Sequence, residues 1–109
     1  MNDFVDISKK LLINCLGVKS EESLLVITDD VKKEIGEYIY EAGKELNLIS
    51  MLLKIPLAKR SGEEPPEAVA EIMKKVDVII AVTEHSLTHT KARKEAVEMG
   101  ARVATMPGI

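Results

Sequence analysis

The chain has 109 residues, 46% of them hydrophobic and 30% charged, with a formal net charge of -3. That length holds one domain, which at this size buries about 60 to 70% of its unfolded surface, and the mild acidity gives no electrostatic footprint for nucleic acid or an anionic membrane. One cysteine excludes an internal disulfide, and no apolar run approaches the ~20 residues that cross a bilayer.

Three aromatic residues (Phe4, Tyr38, Tyr40) and no tryptophan leave the core to aliphatic side chains. The N-terminus lacks the basic-then-apolar pattern of a secretory signal, so a reducing, cytoplasmic setting is expected. Abundant Glu and Lys with no Gln suits a thermophile.

Phe4, Ile7, Leu11, Leu12, Cys15 and Leu16 recur at three- and four-residue steps, which predicts an amphipathic helix whose stripe buries Cys15, with Gly17 as its left-handed cap. Ser23 to Thr28 is a short apolar run between acidic pairs and reads as a buried parallel strand. Val31, Ile35, Ile39, Ala42 and Leu46 line a second helix, with Asp29 or Asp30 placed to cap it. Gly36 and Gly43 on that helix imply close packing against a neighbour. Ile49 to Ile55 is a second strand, ended by Pro56. Leu57 to Glu64 has no periodicity and forms a loop, after which Pro65 and Pro66 suit the first turn of a third helix striped by Val69, Ile72, Met73 and Val76. Asp77 to Thr83 is the third strand, Lys91 to Met99 a fourth helix capped by Gly100, and Ala101 to Thr105 the fourth strand, running into Met106, Pro107 and Gly108.

This alternation predicts an α/β three-layer sandwich: a four-stranded parallel sheet, each strand short and buried, with helices on both faces in a Rossmann-like or flavodoxin-like arrangement. One reversal of direction after the second strand gives the order 2-1-3-4. A parallel α/β chain normally follows each strand with a covering helix. With nothing after the fourth strand, residues 1–109 are expected to be a single α/β domain at the front of a larger, two-domain enzyme.

Ligands of open parallel sheets bind beyond the carboxyl ends of the strands. The densest polar cluster at those ends is Ser86 to Lys94, with hydroxyls, His89 and the cations Lys91, Arg93 and Lys94 at the start of a helix. Cations there oppose the helix dipole, so a bound anion, or a facing carboxylate on a missing domain, would explain them. Lys59 and Arg60 can join the same rim. The candidate substrate- or anion-binding residues are therefore Arg60, Ser86, Thr88, His89, Lys91 and Arg93. In the competing structural reading Ser86 or Thr88 caps the helix, His89 packs at its start and the cations reach solvent. No Gly-rich phosphate loop follows the first strand, where Asp29 and Asp30 would repel a phosphate. Those two carboxylates suit capping better than acid/base work. His85 and His89 would need one helix to share a metal, so no catalytic residue, metal ligand or cofactor is assigned within this chain.

Four segments carry a family resemblance: Asn14-Cys15-Leu16-Gly17-Val18, Gly62-Glu63-Glu64-Pro65-Pro66, Ser86-Leu87-Thr88-His89-Thr90-Lys91-Ala92-Arg93, and Gly100-Ala101-Arg102-Val103-Ala104-Thr105-Met106-Pro107-Gly108-Ile109. They follow in order along the chain, which resembles the N-terminal α/β domain of the thermophilic, metal-dependent aminopeptidases of the S and T type. The resemblance implies a parent that removes N-terminal residues from peptides, with a pair of divalent metal ions held by glutamate, histidine and aspartate of a missing C-terminal catalytic domain. This chain would supply scaffold, part of the substrate-cavity wall and contact in a homodimer, and would be inactive alone. The family also resembles certain ring-cleaving iron dioxygenases in architecture. Two other classes stay open: a self-contained anion- or nucleotide-binding module on Arg60, His89, Lys91 and Arg93, and a structural or dimerisation domain without a ligand.

Overall fold

The computed structural model describes residues 2–106. The expected turn through Pro107 and Gly108 lies outside the described residues. The elements are α1 (Asn2–Leu16), β1 (Ser23–Thr28), α2 (Lys33–Glu45), β2 (Ile49–Lys54), α3 (Glu67–Met73), β3 (Val78–Val82), α4 (Lys91–Glu98) and β4 (Arg102–Thr105). The four strands form one parallel sheet in the order β2-β1-β3-β4, so the fold is the α/β three-layer architecture expected.

The register explains how two cores arise from one sheet. Successive strand residues face opposite sides, so the row Met51, Leu25, Ile79, Val103 faces one layer and the row Leu52, Val26, Ile80, Ala104 the other. The first row packs with Val69 and Met73 of α3 and Ala92 and Ala96 of α4. On the other side Val26 and Ile80 pack with Leu12 and Leu16 of α1 and with Ile39 and Ala42 of α2. Right-handed crossovers require this division, because the chain steps from β1 to β2 in one direction and from β2 to β3 and β4 in the other.

Expectation and structure part in several places. The strands are not all buried: β1 and β3 are, but the outer strands are half-covered, and Ile49 at the start of β2 is 60% exposed. The first helix is turned on its axis from the predicted stripe. Ser8, Leu12 and Leu16 are buried, whereas Phe4 is 54% and Ile7 62% exposed. Ser8 tolerates burial because its hydroxyl donates to the Phe4 carbonyl at 2.8 Å, and the Phe4 ring stacks on Tyr38 of α2 at 5.2 Å. Cys15 follows the same rotation: the thiol expected in the core is exposed. Finally, Pro65 and Pro66 precede the first turn of α3 instead of forming it, with Pro66 at the N-cap position.

Close helix-to-sheet contact holds α2 in place. A Cβ on Gly43 would lie 2.6 Å from Leu24 Cδ2 and 2.7 Å from Ser50 Oγ, and one on Gly36 would lie 2.9 Å from Thr28 Cβ. Both glycines therefore serve packing, as the sequence suggests. Gly17, at φ 57°, ends α1 in the left-handed region that glycine enters without steric cost. Among the described residues no helix is long and apolar enough to cross a membrane.

Candidate functional site

The crossover after β1 goes to one face of the sheet and that after β3 to the other, which opens a crevice between the carboxyl ends of these two adjacent strands. Asp29 closes its floor. The residue is 1% exposed, and its Oδ1 accepts the N–H groups of Val31 at 3.1 Å and Lys32 at 3.0 Å. Its Oδ2 accepts the Glu84 N–H at 2.8 Å. One carboxylate thus shapes the turn into α2 and ties the end of β1 to the end of β3. It satisfies the entry to α2 from outside the helix, since the N-cap residue proper, Lys32, offers no side-chain cap. At the rim, Lys32 Nζ lies 3.5 Å from Glu84 Oε1. The Asp30 carboxylate sits 2.7 Å from Lys54 Nζ, and that hydrogen bond and charge hold its pKa below the ordinary carboxylate value.

The start of α4 resolves the excess of cations found in the sequence. Thr90 is the N-cap, its Oγ1 accepting the Arg93 N–H at 3.2 Å and donating to the Leu87 carbonyl at 2.7 Å. The cap is therefore neither Ser86 nor Thr88. A facing carboxylate does complete the helix start, but it comes from within this chain. Glu64 accepts the Lys91 N–H on Oε2 at 2.6 Å and the Ala92 N–H on Oε1 at 3.1 Å, placing negative charge where the dipole favours it. Because β1 lies between β2 and β3, the β2-to-β3 connection must cross β1, and this crossing carries Glu64 toward α4.

Ser86 and Thr88 form a hydroxyl row instead. Ser86 Oγ donates to Thr88 Oγ1 at 2.6 Å and accepts the Thr88 N–H at 3.0 Å, and Thr88 Oγ1 lies 2.6 Å from Thr105 Oγ1 at the end of β4. The row clips the β3–α4 loop to the last strand. Among the described residues, His89 and Arg93 make no side-chain hydrogen bond or ion pair, and His89 and Arg60 are exposed. Lys91 reaches Glu95 at 3.9 Å with its side chain 78% exposed. The structure thus brings Ser86 and Thr88 together, ties the Lys91 backbone separately to Glu64, and leaves the side chains of Arg60, His89, Lys91 and Arg93 outside both networks. Sequence reading missed Glu64 and Thr105 as partners. Glu64 had a visible signal, an acid on a loop at the same sheet edge as an under-compensated helix start, but pairing the two required the strand order.

A hollow of about 220 Å³ lies beside this network, between the β2–α3 connection and the buried Leu87. Among the described residues no three of His, Cys, Asp and Glu converge on a point that could hold a metal ion. The metal pair that the family resemblance implies belongs to a separate domain, and no chemical step is derived through it.

Fold and crevice together define a doubly wound α/β domain with its polar edge at the switch between β1 and β3. No family model matches the chain, and no curated protein does. Among solved structures it is similar to the 2,5-dihydroxypyridine dioxygenase of Pseudomonas putida KT2440, with a TM-score of 0.79 and 13% sequence identity. The match covers 95% of this chain and 33% of that chain, so this domain spans well under half of the protein it matches. At that identity the likeness is one of fold.

Proposed function

We propose that this chain is the N-terminal scaffold and cavity-wall domain of a cytoplasmic metal-dependent aminopeptidase, with the metal pair held by a separate catalytic domain. What supports the aminopeptidase reading is the sequence resemblance along the chain; the match to 33% of a longer chain supports only that this fold serves as one part of a larger protein. In this reading the exposed side chains of Arg60, His89 and Lys91 and the half-buried Arg93 face the catalytic domain or the bound peptide, while Asp29, Glu64 and the hydroxyl row fix the loops that carry them. A homodimer contact belongs to the same reading.

The test compares the parent polypeptide with residues 1–109 alone, each assayed with added divalent metal for release of N-terminal residues from peptides. Metal-dependent release by the parent and none by the 109-residue chain is expected. Activity of the isolated chain, or a parent inert toward peptides with every metal tried, would sink the reading. The structural likeness by itself favours a second one, the corresponding domain of a dioxygenase. That alternative predicts oxygen consumption with a dihydroxylated aromatic substrate instead of peptide hydrolysis. A self-contained anion-binding module has less support, because the N–H groups at the start of α4 already hold the Glu64 carboxylate.

A further inference from the structure

The segment 55–66 between β2 and α3 is a strap over a hollow. Ile55, Pro56, Ala58, Pro65 and Pro66 line one side of the 220 Å³ space and Leu87 the other, while Leu57, Lys59, Arg60 and Ser61 face solvent. At its start the strap is tied to the sheet by the Ile55 N–H on the Thr28 carbonyl at 2.8 Å. Inside it, Glu63 Oε1 accepts the Lys59 N–H at 3.0 Å. Among the described residues, the hydrogen bonds that fasten residues 57–64 to the rest of the chain run to the β3–α4 region alone. They are the Gly62 N–H on the Ser86 carbonyl at 3.1 Å and the two bonds from Glu64 to Lys91 and Ala92.

Of these contacts only Glu64 carries charge, and it joins groups that no other part of α4 can satisfy. Lys91 and Ala92 are the first two helical residues, whose N–H groups have no intrahelical acceptor. A carboxylate held by two such donors is a strong and local tie, yet it is exposed and so within reach of water. We propose that Glu64 is a latch: its carboxylate on the α4 N-terminus keeps the strap closed over the hollow, and its release lifts residues 57–64 off the carboxyl edge. Opening exposes the apolar side of the hollow at Leu87. The device concerns the conformation of the domain and does not depend on which reaction the parent performs.

Lys59 and Arg60 make the strap a built-in reporter, since trypsin can cut after either only when the strap opens enough to enter its active site. Proteolysis of a transiently opened segment tracks the population of the open form. In the 109-residue chain, Glu64→Ala removes the latch, and Lys91→Pro removes one of its two donors without removing Glu64. Proline suits a first helical position, and Thr90 before it is already extended at φ -86° and ψ 153°, as a residue preceding proline should be. Lys91→Ala keeps the N–H and serves as the control. Cutting after Lys59 and Arg60 should quicken by about tenfold in Glu64→Ala and Lys91→Pro and match the parent chain in Lys91→Ala, as expected for loss of hydrogen bonds to a charged group. Equal rates in Lys91→Pro and Lys91→Ala would overturn the latch. So would faster cutting in Lys91→Pro that comes with a lower thermal midpoint and new cuts outside residues 55–66.

Discussion

Asp29 makes three hydrogen bonds with one buried carboxylate, and two of its partners could be anticipated while the third could not. Val31 and Lys32 follow it immediately, so an aspartate ending a strand and opening a helix suggests them directly. Glu84 lies 55 residues on and becomes a partner only because β3 pairs with β1. Replacing Asp29 by alanine leaves three N–H groups at the sheet edge without their acceptor and should destabilise the domain by about 3 kcal/mol or more. Asp29→Asn retains one acceptor oxygen and should lose less. Urea unfolding of both variants checks the ranking, and equal losses would mean that the charge, not the number of accepted bonds, sets the cost. Cys15 shows where residue-level reading failed. Apolar residues at 4, 5, 7, 11, 12, 13, 15 and 16 occupy more than half of the α1 circumference, so periodicity gives a helix without fixing which way it faces. Packing against β3 and α2 chose the side with Leu12 and Leu16.

Elements at opposite ends of the chain are laced together around the α1–β1 turn. Arg102, at the start of β4, donates from Nε to the Leu16 carbonyl at 2.8 Å and from NH2 to Glu22 Oε1 at 2.5 Å, and the Lys19 N–H also reaches Glu22 Oε1 at 2.9 Å. The Arg102 hydrogen bond first, and the Lys19 N–H second, hold the Glu22 pKa below its ordinary value of 4.5. The folded state therefore binds this proton more weakly than the unfolded chain, so the tie contributes in full above the ordinary value and fades as pH falls through the depressed one. The Glu22 side chain is 21% exposed, which keeps the contribution within about 1 kcal/mol after solvent screening. Glu22→Gln should accordingly be slightly less stable than the parent chain at neutral pH, with the gap closing below about pH 4. A gap that stays constant from pH 7 to 3 would show that Glu22 acts through packing alone. The start of α4 was less legible: Glu64 of this same chain meets its backbone N–H groups rather than its cationic side chains, and the strap that delivers it had no periodicity from which to read a position.

Helix-strand alternation is a property of the whole chain and made the layered fold readable from sequence, whereas the order 2-1-3-4 followed only on the condition of one reversal after the second strand, which the structure supplies. The gradient of burial across the sheet was not readable, because β1, β2 and β3 are all apolar runs of similar length and only their order decides which of them lies at an edge. This difference is measurable. Ile80, in the middle of β3, is fully buried between Val26 and Ala104 and faces α1 and α2. Truncating it to alanine opens a cavity in a fully buried layer and should destabilise the domain by about 2–5 kcal/mol. Ile49, with the same side chain but at the start of the edge strand β2, should lose no more than about 1 kcal/mol on the same change, because most of its surface is already in water. Matched denaturant titrations of Ile80→Ala and Ile49→Ala decide the matter. Comparable losses would mean that the outer face of β2 is covered in solution, by a second copy of the chain or by another domain, and the edge assigned to β2 would then be an interface.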